Sequence, residues 1–147
     1  MDVSTPGRIT KSDARYGDEV VVIESAADMS GFEKEYLGIA EVGRKFGVTL
    51  RTLRFYETRK LIAPLRRGKV RLYLVEDCRR IALVLRLKGF GFTLGEIARM
   101  LSAGPAEGGP HAVTLTREKC LDQIRWLQSQ RSGIDAAILE LQLLVEK

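Results

Sequence analysis

The amino-acid sequence predicts a mainly α-helical protein in which a winged helix-turn-helix unit precedes one long helix. Three patterns indicate this fold class. Two short amphipathic segments meet at Gly47 and Val48, which is typical of a helix-turn-helix. Apolar residues then alternate over residues 70–74, as in the second strand of a hairpin. Finally, apolar residues recur at spacings of four and three over residues 120–145, the heptad pattern of a helix that pairs with another helix.

Charge is distributed unevenly along the 147 residues. Residues 1–35 hold eight acidic and four basic side chains, a net charge of −4, so the remainder carries +9 of the total of +5. Between Arg51 and Arg71 there are eight basic residues against one acidic residue, Glu57. A basic body of this kind indicates a polyanionic partner, with double-stranded DNA the first candidate. Charge that serves only solubility is the alternative.

Several classes of protein are disfavoured by the same sequence. No apolar run approaches the roughly eighteen residues of a membrane span, and the N-terminal residues lack the apolar core of a secretion signal. Cys78 and Cys120 lie far apart without a C-x-x-C pair, so we expect neither a disulfide framework nor a zinc finger. No nucleophile elbow, phosphate-binding loop or metal-ligand cluster is present. We therefore expect a cytoplasmic, nucleoid-associated protein with no enzymatic activity, cofactor or membrane partner.

The helix-turn-helix is predicted from residue 37 onward. Apolar residues at positions i, i+3 and i+7 give the first helix one buried face: Ile39, Val42 and Phe46. Gly47 is placed to end that helix. Thr49 is a favourable N-cap for a second helix that continues to about residue 58.

The wing and two further helices follow. Pro64 ends the helix-turn-helix, and residues 65–74 form a hairpin around Gly68. A third helix is expected over residues 75–88. Thr93 and Glu96 form a capping box that opens a fourth helix.

The last stretch is a Gly/Pro-rich linker and the heptad helix. The seam begins at Cys120 and continues through Ile124, Leu127, Arg131, Ile134, Ile138, Leu141 and Val145. A helix of this length cannot bury its seam on so small a body, so we expect a homodimer. Arg131 at an a position lowers stability but fixes the register. The predicted segments are an acidic, flexible tail at 1–35 with a possible unpartnered strand at 20–23, a winged helix-turn-helix domain at 36–102, a Gly/Pro linker at 103–115 and a coiled-coil dimerisation helix at 116–147.

Candidate DNA-binding residues lie at the start of the second helix and on the wing. Those on the helix are Thr49, Arg51, Thr52, Arg54 and Tyr56. The N-terminal residues of such a helix reach base edges in the major groove, and arginine binds guanine through two hydrogen bonds. The wing residues Arg66, Arg67, Lys69 and Arg71 are expected to bind phosphates. The alternatives are a core position for Tyr56 and a local ion pair between Arg54 and Glu57.

A series of short motifs points to a known family. They are Leu37-Gly38-Ile39-Ala40-Glu41-Val42, Gly47-Val48, Thr52-Leu53-Arg54-Phe55-Tyr56-Glu57, Leu61, Arg71-Leu72-Tyr73, Glu76-Asp77, Gly91-Phe92-Thr93-Leu94 and Glu96-Ile97. In this order they closely resemble the DNA-binding domain of the mercury-resistance-regulator (MerR) family. The resemblance implies a winged helix-turn-helix dimer, joined by an antiparallel coiled coil, on a pseudo-palindromic promoter of a bacterial cell. It also implies that the dimer bends and untwists an overlong spacer so that RNA polymerase engages both promoter elements.

The sequence departs from the family at three places. Phe55 and Val70 stand where tyrosine is common, so neither offers a hydroxyl. Metal-responsive relatives have a cysteine at the start of the dimerisation helix and a cysteine pair near the C-terminus. Cys120 matches the first position, but residues 121–147 contain no cysteine. We therefore expect a seam role for Cys120. Because the sequence ends with the heptad helix, we also expect a short form without the effector-binding domain of drug-sensing relatives.

Three alternative functions stay open at this point. One is an architectural or developmental DNA-binding protein that needs no inducer. Another is a thiol or metal sensor that acts through Cys120, the only metal-ligand candidate. The third is an adaptor that binds other proteins through the heptad helix alone.

Overall fold

The computed structural model describes residues 8–11, 19–25, 35–103, 109 and 111–147. The elements in chain order are β1 (Arg8–Lys11), β2 (Glu19–Glu24), β3 (Tyr36–Leu37), α1 (Ile39–Phe46), α2 (Leu50–Thr58), β4 (Leu65–Arg67), β5 (Val70–Leu74), α3 (Val75–Gly89), α4 (Leu94–Ser102), β6 (Ala112–Thr116) and α5 (Arg117–Val145). The predicted fold class is confirmed: the protein is mainly helical, with a helix-turn-helix, a wing and a long last helix. Among the described residues, no helix combines the length and apolar character needed to cross a membrane.

Local signals in the sequence set the ends of α1, α2 and α4. α1 ends at Gly47, whose φ of 65° lies in the left-handed region that favours glycine. The Thr49 hydroxyl accepts a hydrogen bond from the Thr52 N–H at 3.1 Å and so caps α2. The Thr93 hydroxyl accepts from the Glu96 N–H in the same way, and the Glu96 carboxylate accepts from the Thr93 N–H. Gly47 thus marks the end of α1, and the two threonine caps mark the starts of α2 and α4.

The wing is a three-stranded antiparallel sheet with the strand order β3-β5-β4. Arg67 lies opposite Val70 across the turn of the hairpin. β3 adds a third strand, with Leu37 opposite Tyr73. The apolar pattern predicts a helix from residue 37 and gives no sign of this strand, because two residues are too few to show alternation. The extra strand anchors the wing to the start of α1.

A second sheet joins two N-terminal strands to the strand that directly precedes α5. Its strand order is β1-β2-β6, and both pairs are antiparallel. Val21 lies opposite Leu115, and Ile23 lies opposite Val113. This sheet corrects two expectations, because β1 and β2 fall in the predicted flexible tail and β6 falls in the predicted linker. The strand expected at residues 20–23 has partners on both sides.

One hydrophobic core connects the helices with this second sheet. The inward residues Ile23, Val113 and Leu115 belong to the same buried cluster as the winged helix-turn-helix core. That core consists mainly of fully buried residues from the helices and β5: Val42, Leu53, Tyr73, Ile81, Leu83, Val84, Leu87 and Ile97. The β2–β6 sheet is therefore part of the folded body.

The first turns of α5, the last helix, contact the body. Its 29 residues include none that is buried. The Gln123 side-chain amide donates to the carbonyl oxygen of Phe90 at 2.7 Å. The Trp126 ring lies against Gly91, where an added Cβ would come within 2.5 Å of Trp126 Cζ3. Beyond these turns, the apolar seam of α5 is exposed.

Candidate nucleic-acid interface

The N-terminus of α2 presents short polar and long basic side chains side by side. Thr49 and Thr52 lie 2.9 Å apart through their hydroxyl oxygens, and the exposed side chain of Arg51 lies between them in sequence. Arg54 is exposed one turn further on. A helix N-terminus also carries unpaired N–H groups and a partial positive charge, both of which attract phosphate. This end of α2 has the composition that major-groove recognition requires.

Tyr56 differs from the other candidates on α2. Its side chain is only 4% exposed and belongs to the hydrophobic core. Burial raises the pKa of its phenol. The structure therefore favours the core interpretation of Tyr56 over a phosphate contact, because a ring so deeply buried offers almost no surface to DNA.

The wing divides its four basic candidates into two pairs. Arg67 and Lys69 lie at the turn and are exposed, and neither forms an ion pair with any residue that the structure describes. Arg66 and Arg71 instead both donate to the carboxylate of Glu57 on α2. Arg67 and Lys69 are thus the wing cations with the freest access to a phosphate.

Glu57 is held by both arginines of the second pair. Its Oε1 accepts from Arg66 Nη2 at 2.6 Å and from Arg66 Nε at 3.3 Å, and its Oε2 accepts from Arg71 Nε at 2.6 Å. The Glu57 and Arg71 side chains are 18% and 20% exposed, whereas Arg66 is 52% exposed. We call this three-residue cluster the Glu57 clasp. It joins α2 to the wing, and Glu57 pairs with these wing arginines instead of with Arg54, the local pair that the sequence left open.

The ionisation of Glu57 reflects the clasp. Burial by itself would raise the pKa of the carboxyl, but the hydrogen bonds and charges of Arg66 and Arg71 outweigh burial and lower it. Glu57 is therefore ionised at neutral pH. Its only sequence signal was that it is the single acid among the basic residues between Arg51 and Arg71.

The two cysteines are poorly suited to reactive roles. Cys78 is fully buried, and burial, with a smaller effect from Asp77, raises the pKa of its thiol to about 11. Burial also raises the pKa of the partly buried Cys120 thiol. A neutral thiol is a weak nucleophile and a weak metal ligand. Among the described residues, no group of three or more His, Cys, Asp or Glu side chains is arranged to hold a metal ion.

Comparison with known protein families agrees with this geometry. Residues 37–104 match the family model described as "MerR HTH family regulatory protein", and residues 78–144 match the model described as "MerR, DNA binding". The chain belongs to the MerR family. Both matched models describe regulatory or DNA-binding regions of that family. The second match includes most of α5, so the family resemblance extends beyond the helix-turn-helix.

Individual members of the family share part of this chain. The HTH-type transcriptional regulator CueR of Yersinia pestis is 32% identical over 68 residues, which cover 45% of this chain and 49% of CueR. The chain spans about half the length of the curated relatives it matches. A MerR-family regulator of Bacillus cereus superposes with a TM-score of 0.56 at 25% identity, over 70% of this chain and 75% of the other. The N-terminal part of MtaN, a multidrug transporter activator of Bacillus subtilis, superposes with a TM-score of 0.53 at 26% identity, over 76% and 99% of the two chains.

Proposed function

We propose that this MerR-family regulator acts as a homodimer on a pseudo-palindromic promoter, where it distorts the spacer between the two promoter elements. One observation carries the proposal: one folded unit exposes the N-terminus of α2 and two wing cations, Arg67 and Lys69, while the attached α5 exposes its heptad seam. The first surface fits one half-site, and the second calls for another copy of the chain.

The exposure of α5 supports the homodimer. The large apolar residues of the seam that remain 37–82% exposed are Ile124, Leu127, Ile134, Ile138, Leu141 and Val145. A soluble protein rarely leaves so continuous an apolar stripe in water. Pairing with a second α5 covers the stripe without any change in the rest of the fold.

The charges of α5 favour an antiparallel pair. Residues 117–131 hold four basic and two acidic side chains, whereas residues 132–147 hold three acidic and one basic side chain. An antiparallel dimer brings halves of opposite charge together, but a parallel dimer brings like halves together. A parallel pair also sets Arg131 against its own copy at an a position. The antiparallel pair sets Arg131 against Ile134 of the other copy, one residue from its Asp135.

The antiparallel arrangement also supports action on two half-sites. Two winged domains at opposite ends of a paired α5 are related by a twofold axis, and a symmetric dimer binds a pseudo-palindrome. Binding both half-sites at once fixes the DNA between them. Bending or untwisting of that spacer is the mechanism that the family resemblance implies.

Selection of bound sequences from random duplex DNA, followed by footprinting, tests the proposal. We expect an inverted repeat that is protected symmetrically, with altered reactivity at its centre where the DNA is distorted. Enrichment of no motif, together with steeply salt-dependent affinity, would instead indicate an architectural protein. A Cys120→Ser variant that lost its response to an oxidant or metal would revive the sensor alternative.

A further inference from the structure

An apolar groove lies where the β2–β6 sheet meets α5. Its volume is about 200 Å³, and its walls are almost entirely apolar. The sheet contributes Val21, Ile23 and Leu115, and the first turns of α5 contribute Cys120, Ile124 and Leu127. A dry apolar cavity of roughly 150 Å³ holds a group the size of benzene, so this groove accommodates a large aliphatic side chain.

The groove is continuous with the exposed seam of α5. Ile124 and Leu127 belong to both, and they remain 48% and 37% exposed. Whatever covers the first half of the seam must therefore enter the groove as well. A helix paired with α5 would therefore contact the β2 and β6 residues that line the groove.

The antiparallel register identifies which part of a second copy arrives there. Centring the seam on itself gives the layers Cys120–Val145, Ile124–Leu141, Leu127–Ile138 and Arg131–Ile134. The groove then receives the last turns of the other helix, where Leu141, Leu144 and Val145 are 62%, 56% and 82% exposed.

The net charges of the two halves of α5 favour the same occupant. Residues 117–131, which adjoin the groove, carry a net charge of +2 (four basic, two acidic), whereas residues 132–147 carry a net charge of −2 (one basic, three acidic). Apolar fit and charge therefore agree on one occupant.

We propose that the β2–β6 sheet and the start of α5 form a socket for the C-terminal end of α5 of a second copy. The N-terminal segment of the chain is then part of the dimer interface. The inference rests on the proposed homodimer but goes beyond it, since a coiled coil alone does not require the sheet. Each dimer contains two such sockets, one at each end.

Disulfide trapping in the full chain tests the socket. Val145→Cys is expected to form a covalent dimer with the native Cys120 of the other copy, because facing seam residues lie within disulfide reach. Oxidation is run at about pH 8.5, because burial raises the pKa of the Cys120 thiol. The unmodified chain should give no covalent dimer, because the two Cys120 residues of an antiparallel pair lie about 38 Å apart. Cys120→Ser combined with Val145→Cys is the matched negative control.

The role of the sheet is tested by two lysine substitutions on opposite faces. Val21→Lys places a charge in the socket and should weaken the dimer by about tenfold or more. Thr114→Lys is the control, since Thr114 is exposed on the same sheet and does not line the groove. Val145→Lys should weaken the dimer to a similar extent, and it cannot harm the fold of the protomer because Val145 is 82% exposed.

The outcomes separate the socket from the dimer itself. A monomer by light scattering contradicts the proposed homodimer. A dimer in which Val145→Cys fails to crosslink, or in which the unmodified chain crosslinks through Cys120, overturns the socket and leaves the dimer standing. Crosslinking of Val145→Cys with no effect of either Val21→Lys or Val145→Lys on dimer affinity also overturns the socket, because the helices then pair without it.

Discussion

The Glu57 clasp gives the sharpest test of how α2 and the wing are held together. Glu57→Gln keeps the shape of the side chain but removes the charge that Arg66 and Arg71 bind. A hydrogen bond to a charged group contributes roughly 1.5–3 kcal/mol when it is shielded from water, and an exposed ion pair contributes about 0–1 kcal/mol. Arg71 is the shielded partner and Arg66 the exposed one. Because glutamine retains one acceptor, we expect a loss of about 1–2 kcal/mol in the free energy of unfolding.

The pH dependence of this loss follows from the pKa of Glu57. The folded protein holds that pKa below its ordinary value, so the contribution is fully present above the unfolded pKa of roughly 4.3. It disappears as pH falls through the lower, folded pKa. The variant should therefore be less stable than the parent at pH 7 and should approach it in acid.

Urea unfolding at one fixed protein concentration measures the effect, since the stability of a dimer depends on concentration. Asp122→Asn is the control, because its ion pair with Arg125 is 64% exposed on both sides and should change stability by less than about 0.5 kcal/mol. Equal stability of parent and Glu57→Gln at pH 7 would refute the clasp. A difference that persists unchanged at low pH would assign the effect to packing rather than charge.

Further substitutions test the interface, the α5 contact and the core. Arg51→Ala should cost about 1–3 kcal/mol at a specific site and relax base preference there. Arg67→Ala should weaken binding to all DNA sequences alike and reduce the slope of log affinity against log salt concentration by about one. Fluorescence anisotropy at several salt concentrations distinguishes the effects of the two substitutions. Equal effects on specific and random DNA for both variants would show that α2 does not read the bases. Gly91→Ala should lower stability by about 1–3 kcal/mol in thermal melts, because φ is 89° and the new Cβ meets Trp126, and a Trp126→Ala background that rescues none of the loss would contradict the contact. Tyr73→Phe should leave stability within about 0.5 kcal/mol or raise it, because the buried Tyr73 hydroxyl has no hydrogen-bond partner among the described residues; a larger loss in urea melts would reveal a partner.

The sequence predicts the helix-turn-helix well because its signals are local. The φ of Gly47 and the hydroxyl caps of Thr49 and Thr93 act within three residues of where they lie. The heptad of α5 is similarly readable, since each turn repeats the same spacing. These elements need no knowledge of distant residues.

The β2–β6 sheet could not be predicted for the opposite reason. Val21 pairs with Leu115 across more than ninety residues, and neither short strand carries a signal for the other. His111, in the predicted linker, contacts Glu76 of α3 through a side-chain pair that composition does not suggest. The Gly/Pro-rich composition predicts a loop before α5, but residues 112–116 form a strand because they pair with β2.

The candidate site was predictable in its residue types and not in its pairings. Basic residues at the start of α2 and on the wing were visible as a charge pattern, but the pattern treated the four wing cations as equivalent. Only the fold shows that Arg66 and Arg71 neutralise Glu57 while Arg67 and Lys69 face outward. Likewise, the sequence does not show that Tyr56 is buried, because its burial depends on Leu53 and Tyr73 lying in the same hydrophobic core.

The attachment of α5 indicates how the proposed dimer would act on DNA. Gln123 and Trp126 fix the first turns of α5 on the loop at Phe90 and Gly91, and Lys119 lies 3.7 Å from the carboxylate of Glu96 on α4. The whole of α5 is about 43 Å long, and the part beyond its first turns extends away from the winged domain. Because these contacts hold the first turns of α5 on the winged domain, a change in the angle between the paired helices of the proposed dimer would rotate the two α2 helices relative to each other. The proposed socket lies on those same turns, so repacking of the β2–β6 sheet against the partner helix would alter that angle and, with it, the spacer geometry that the dimer imposes.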